Sequence, residues 1–212
     1  MANLQDSKNK KRQFVTLLTF CRAPLILLAA VSALCHSYRP DQIKLVAVIL
    51  LMALSALTDL FDGLLARRWE VVSRFGALAD PLMDKIFYVA TLPVAIFLAA
   101  RLGDWQHAAL LLALDVISMV RDQWVSFLRS IGTIYGADVR ANWSGKLRTA
   151  LGFPVIVAAY LFLGLMALEV EIPQGWRWLV LGAEVLLAGI TLLSAGIYTR
   201  DYWPHLLHSL ND

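Results

Sequence analysis

The sequence predicts an all-α integral membrane protein, with six transmembrane helices in one bundle and a short N-terminal interfacial helix. Hydrophobic residues make up 59% of the 212 and charged ones only 17%, with a mean hydropathy of +0.64, a balance too apolar for a soluble domain. The apolar residues gather into six runs, each near the roughly 20 residues a helix needs to cross the hydrocarbon core. Six crossings leave both termini on one side, and of the 19 Lys and Arg all but Arg39, Lys44, Arg101 and Arg177 fall there. The positive-inside asymmetry makes that side cytoplasmic.

Residues 1–13 are polar, with Lys8, Lys10, Lys11 and Arg12 just ahead of the first apolar run, and read as a cytoplasmic anchor or interfacial segment. The first span covers residues 14–36. Pro24 can kink it, and Arg22 either snorkels to the headgroups or turns inward to meet a phosphate or an aspartate. Span two, residues 43–67, ends in Asp59, Asp62, Gly63, Ala66 and Arg67, and span three, residues 77–100, follows Gly76 and opens on Asp80 and Asp84. Residues 68–75 are too few to cross anything, so they form a tight connection on the side of the acids. Span four, residues 105–128, carries Asp115 midway and Arg121-Asp122 near its end. A polar stretch, an apolar run over 149–168, an acidic loop and a sixth run over 178–198 complete the domain, which spans residues 14–200 and is followed by a cytoplasmic tail, 201–212. The tryptophans fall mostly near the expected interfaces. Cys21 and Cys35 have neither disulfide nor zinc spacing and read as small packing residues.

Asp59 and Asp62 are three apart and Asp80 and Asp84 four apart, so each pair lies on one helix face. Packed side by side, the two helices would bring four carboxylates together, at a cost in burial and repulsion that calls for compensation. Oxygen-only ligands suit hard divalent ions, Mg²⁺ or Mn²⁺. Two such ions would bind a diphosphate and polarise the phosphorus attacked by an alcohol, and Asp84, the last of the four, suits the base that takes the alcohol's proton. Gly63, Ala66 and Gly76 share these faces, either for close packing or to admit a flat group. Arg67 either holds a phosphate or snorkels. Arg121, Lys146 and Arg148 offer cations for a second phosphorylated reactant, although each alone passes for an ordinary anchor. Asp115, Asp122 and Glu184 stay open between structural pairing and a polar cavity. His36, His107, His205 and His208 lie near chain ends or opposite-side loops, so no catalytic histidine is expected.

The spacing Asp59-x₂-Asp62-Gly63-x₂-Ala66-Arg67-x₈-Gly76-x₃-Asp80-x₃-Asp84 resembles the complete signature of the CDP-alcohol phosphatidyltransferases, and the likeness extends over essentially the whole chain. The resemblance implies a six-helix membrane core and two Mg²⁺ or Mn²⁺ ions among Asp59, Asp62, Asp80 and Asp84, with Asp84 as general base. It also implies room for the cytidine nucleotide at Gly63, Ala66 and Gly76, and Arg67 near its phosphates. In such enzymes the acceptor alcohol attacks the phosphorus that carries the lipid, and CMP leaves.

Thr19-x₂-Arg22, Ala79-Asp80-Pro81-x₂-Asp84-Lys85, Arg121-Asp122 and Trp143-x-Gly145-Lys146-x-Arg148-Thr149 most resemble members that join CDP-diacylglycerol to the primary hydroxyl of sn-glycerol 3-phosphate. Two departures stand out. Val15-Thr16 occupy the place of a common Pro-Asn, and Asp122 that of a common Glu, which keeps the charge on a shorter arm. Members that use phosphatidylglycerol or an inositol phosphate are the rival readings, but phosphatidylglycerol lacks the phosphomonoester that Arg121, Lys146 and Arg148 would reward.

The implied partners are CDP-diacylglycerol, sn-glycerol 3-phosphate and membrane phospholipids, and a homodimer is compatible with the family. Basic residues dispersed beside apolar runs disfavour nucleic acid. An ion transporter would need acids near midplane on discontinuous, repeated helices, and a noncatalytic scaffold leaves the four acids unexplained. A compact chain without a transit extension points to a bacterial cytoplasmic membrane.

Overall fold

The computed structural model describes residues 2–71, 73–136 and 142–210, without the side chains of residues 2–7, Arg74, Ala77, Leu78, Asp80 and Leu210. Six helices account for nearly all of them: α1 (Ala2–Tyr38), α2 (Gln42–Arg68), α3 (Arg74–Arg101), α4 (Trp105–Ile134), α5 (Trp143–Ala167) and α6 (Gln174–Leu210). Five are long and apolar enough to cross a membrane, and the protein is an all-α integral membrane protein. The remaining helix, α4, is long enough at 30 residues but carries Asp115, Arg121, Asp122 and Arg129 along its length. The polar segment 1–13 is not a separate helix: α1 runs unbroken through it and through Pro24. At 37 residues each, α1 and α6 reach roughly 55 Å, well beyond the hydrocarbon core.

The chain divides into two compact units. The first comprises Met1–Val94 with Leu163–Val170, and the second Ala95–Phe162 with Glu171–Asp212.

In the first unit α1 packs on α2. Ala29, Ala30 and Ala33 are buried, as are Val48 and Met52, because small side chains let membrane helices approach closely. Leu27, Leu28, Val31, Leu50 and Leu54 are exposed, as lipid-facing residues are. Cys35 is exposed too and Cys21 half-buried, so Cys35 does not have the packing role its composition suggests. The turn into α2 is held at two points. Asp41 caps the helix by accepting from the Ile43 N–H at 2.7 Å. Buried His36 lies with Nδ1 3.0 Å from the Asp41 carbonyl and 3.2 Å from the Asp41 N–H, and with Nε2 3.2 Å from the Gly164 carbonyl. The Leu45 side chain packs directly on Gly164 and would have to shift for any larger residue there.

α2 ends in a Schellman turn: the Val71 N–H donates to the Ala66 carbonyl at 3.0 Å and the Glu70 N–H to that of Arg67 at 3.2 Å. Glu70 takes the left-handed conformation this demands, φ +54°. Trp69 packs against Phe14, with ring centroids 6.1 Å apart, tying the turn to α1. Ser73 then caps α3 through the Gly76 N–H, 3.0 Å.

In the second unit α4 packs on α6. The buried stripe of α4 (His107, Leu111, Leu114, Ser118, Val125, Leu128) and that of α6 (Val180, Glu184, Leu187, Thr191, Ser194, Tyr198) recur every three, four or seven residues, the period of one helix face. Asp104, the cap of α4, accepts the His107 N–H at 3.2 Å and pairs with Arg177 at the start of α6, 2.8 Å.

Burial raises the Asp104 carboxyl, but the Arg177 hydrogen bond and the His107 N–H outweigh it and hold the group below the ordinary carboxylate range. A depressed folded pKa contributes stability that is present above the unfolded value and lost as pH falls through the folded one. Asp104→Asn is therefore expected to cost about 1 kcal/mol at pH 7, with the gap to wild type closing below about pH 4. Thermal unfolding across pH checks both statements.

Candidate active site

Three of the four signature aspartates have described side chains, and two of them meet one cation. Arg22 on α1 donates from Nη1 to Asp59 Oδ1 at 2.6 Å and from Nη2 to Asp84 Oδ1 at 3.1 Å. The arginine is 6% exposed and turns inward, which settles the choice left by the sequence. Asp62 is also buried and accepts from Thr19 Oγ1 at 2.7 Å. Thr19 and Arg22 stand three apart on α1, so one face of that helix supplies donors to acids from α2 and α3. The Asp80 side chain lies outside the described residues.

Among the described residues no three of His, Cys, Asp and Glu are gathered tightly enough to hold a metal ion. The donor set nevertheless fits a hard divalent cation. It is all carboxylate oxygen, and carboxylates from α2 and α3 already converge on a single cationic group.

Beside Asp62 lies a cavity of about 310 Å³ whose lining includes Arg12, Thr16, Thr19, Gly63, Ala66, Arg67, Ser73 and Gly76. Every residue singled out for the nucleotide is in that lining. A methyl group added at Gly63 would meet nothing closer than the Arg67 guanidinium at 3.7 Å, so helix packing does not demand the glycine. What it preserves is open space. Arg12 and Arg67 bring positive charge, and the capped first turn of α3 presents Ser73 and Gly76 at the positive end of its helix dipole. Thr16, one of the two departures from the family pattern, is part of this wall.

In the second unit Asp122 is shared by two arginines. Arg148, 4% exposed, donates from Nη1 to Oδ1 at 3.0 Å and from Nη2 to Oδ2 at 3.1 Å, and Arg121 donates to Oδ1 at 3.0 Å. Arg121 also donates to Ser194 Oγ at 2.6 Å. Arg121 and Arg129 each lie 5.2 Å from the Tyr198 ring, and the Tyr198 hydroxyl accepts from Arg129 at 2.8 Å and from the Asn142 N–H at 3.1 Å. Lys146 is exposed and two residues from Arg148, hence on a different face of α5. The structure thus joins Arg121 and Arg148 through Asp122 and leaves Lys146 apart.

Glu184 pairs with His107 Nε2 at 2.8 Å, both fully buried. This gives Glu184 a structural partner and makes His107 an interior residue of the α4–α6 seam. Asp115 is buried, and among the described residues its Oδ1 has no hydrogen-bond partner. Arg12 and Ser73 at the cavity, and Arg129 and Tyr198 beside Arg121, were not foreseen, because a basic anchor, a helix cap and an interfacial tyrosine look alike in a sequence whatever they face.

The family model described as CDP-alcohol phosphatidyltransferase matches residues 13–190. Three curated relatives are each a CDP-diacylglycerol–glycerol-3-phosphate 3-phosphatidyltransferase. That of Sodalis glossinidius is 33% identical over 115 residues, 53% of this chain and 59% of its own length, so the chain spans less than two thirds of it. That of Pseudomonas fluorescens is 28% identical over 171 residues, 80% of this chain and 81% of its own. That of Pectobacterium atrosepticum is 32% identical over 137 residues, 63% and 69% of the two chains. No solved structure matches the chain.

Two glycines that look equivalent in the sequence should respond oppositely to alanine. At Gly145 the new Cβ would lie 2.9 Å from Tyr198 Oη, and Gly145→Ala is expected to cost about 1–3 kcal/mol as the tyrosine and its arginines shift. Gly63→Ala, in a helix interior with only a 3.7 Å contact, is expected to be neutral or stabilising by up to about 1 kcal/mol. Thermal unfolding of the two variants in one detergent makes the comparison.

Proposed function

We propose, on the premise that the chain belongs to the CDP-alcohol phosphatidyltransferase family, that it transfers the phosphatidyl group of CDP-diacylglycerol to the primary hydroxyl of sn-glycerol 3-phosphate. CMP is released and phosphatidylglycerophosphate forms. The observation that carries this reading is the cavity lined by Asp62, Gly63, Ala66, Arg67 and Gly76, with Asp59 and Asp84 held by Arg22 in the same unit. The relatives' names support the acceptor.

Asp59, Asp62, Asp80 and Asp84 would hold two Mg²⁺ or Mn²⁺ ions, whose charge would neutralise the diphosphate and polarise the phosphorus under attack. The cytidine would enter beside Gly63, Ala66 and Gly76, with its diphosphate toward Arg12, Arg67 and the first turn of α3. Thr19 would hold Asp62 in orientation. The acceptor's hydroxyl oxygen bonds to the phosphorus that carries the diacylglycerol as its proton passes to Asp84. The bond from that phosphorus to the bridging oxygen breaks, and CMP departs with the oxygen and its electron pair. Arg121 and Arg148, oriented by Asp122, would bind the acceptor's phosphomonoester by charge-assisted hydrogen bonds, and exposed Lys146 would add longer-range attraction.

Both termini and this chemistry would face the cytoplasm of a bacterial cell. The basic-residue asymmetry supports the orientation, and the bacterial relatives support the membrane.

The test is CMP release by the purified full chain with Mg²⁺ or Mn²⁺, offering glycerol 3-phosphate, phosphatidylglycerol or inositol 1-phosphate. Glycerol 3-phosphate is expected to be preferred, and a preference for phosphatidylglycerol would overturn the acceptor assignment while keeping the family chemistry. Asp84→Asn is expected to lower turnover by roughly 10²–10⁴-fold and spare CDP-diacylglycerol binding. An equal collapse of binding would make Asp84 chiefly a ligand. Arg148→Lys, which keeps the charge and loses the fork, is expected to raise the acceptor KM about tenfold with little change in lipid-nucleotide affinity.

A further inference from the structure

We propose that Arg22 is a displaceable counter-cation, whose guanidinium holds Asp59 and Asp84 together and yields them to a divalent cation. The proposal rests on the reading of the signature aspartates as metal ligands. Arg22 stands on α1, outside the signature itself, yet its two arms reach one carboxylate of α2 and one of α3, at 2.6 and 3.1 Å. A guanidinium binds most firmly when both arms meet a single carboxylate in parallel. Here they are divided, one hydrogen bond to each acid, and among the described residues Nε has no hydrogen-bond partner. Among those residues, the two acids it bridges are what holds the group.

Burial sets the order of the layers. The Arg22 side chain is 7% exposed, while those of Asp59 and Asp84 are 42% and 35% exposed. The guanidinium lies on the inner side of the carboxylates, and solvent reaches them from the outer side, so a cation can approach without the arginine first moving aside. A divalent ion carries twice the charge and binds carboxylate oxygen at about 2.0–2.1 Å for Mg²⁺, closer than either arm of Arg22. It must still draw the carboxylates away from a positive charge already paired with them, which lowers its affinity. The arginine thus keeps the acids of two helices in register and sets the cation concentration at which the site loads.

Mn²⁺ titration followed by electron paramagnetic resonance, on the full chain in nanodiscs, compares wild type with Arg22→Gln and Arg22→Lys. Arg22→Gln is expected to bind Mn²⁺ at least about tenfold more tightly. It should unfold at a lower temperature in chelator and regain more on Mn²⁺ addition than wild type does. Arg22→Lys, a point charge that cannot span both acids with planar arms, should fall between, and it carries the comparison if the glutamine variant does not fold. Unchanged or weaker Mn²⁺ affinity in folded variants would overturn the proposal, as would an equal loss of stability with and without Mn²⁺. A wild type that binds no Mn²⁺ would remove the metal reading as well. Wild-type binding that neither variant alters would remove this inference alone.

Discussion

Carboxylates among membrane-spanning helices need a counter-charge, and the first unit is arranged around supplying one. Arg22 meets Asp59 and Asp84, and Thr19 satisfies Asp62, all from one face of α1. That face can come close because α1 is lined further along by Ala29, Ala30 and Ala33, and an arginine with longer-branched neighbours would be held off. The cavity next to the acids follows from the same economy of side chains, since Gly63 and Gly76 contribute wall without bulk.

The second unit inverts the charges. One carboxylate, Asp122, serves two guanidinium groups, and an aromatic ring, Tyr198, lies against Arg121 and Arg129. A tyrosine there stabilises cations by its face without cancelling their charge, whereas a second acid would have neutralised them. Gly145 is small because Tyr198 passes so near it. The glycine therefore serves the tyrosine, and the tyrosine the arginines.

Much of this was legible because its causes are local. Runs of about 20 apolar residues announce membrane helices, and acids three and four apart announce a shared face. The full extents of α1 and α6 were not legible, because the basic start of α1 stays helical without a hydrophobic signal and the end of α6, where Tyr202 and Leu206 pack down, lies beyond the long apolar run. Nor was the partner of Arg22: Asp59 and Asp84 lie 37 and 62 residues away along the chain, and no spacing rule reaches so far. His107 and Glu184, 77 residues apart, escaped for the same reason. The family's glycine positions were readable from the signature, but the cavity's other wall, Arg12 and Thr16, comes from a segment whose basic character suggests only a lipid anchor. Lys146 shows the opposite failing. Its closeness to Arg148 in sequence suggested a cluster that the helix turn separates.

The turn between α2 and α3, short and locked by its own hydrogen bonds, bears on how the chain is made. Asp59 and Asp84 belong to neighbouring helices, and Arg22 precedes both, so the acids emerge from the ribosome after the cation that will meet them. Helices α2 and α3 therefore follow the helix whose arginine answers their negative charges. Asp122, Arg121 and Arg148 come later, and their surroundings are complete only when Ser194 and Tyr198 of the last helix arrive. Truncation from the C-terminal end would thus dismantle the cationic cluster first and leave the acidic one standing.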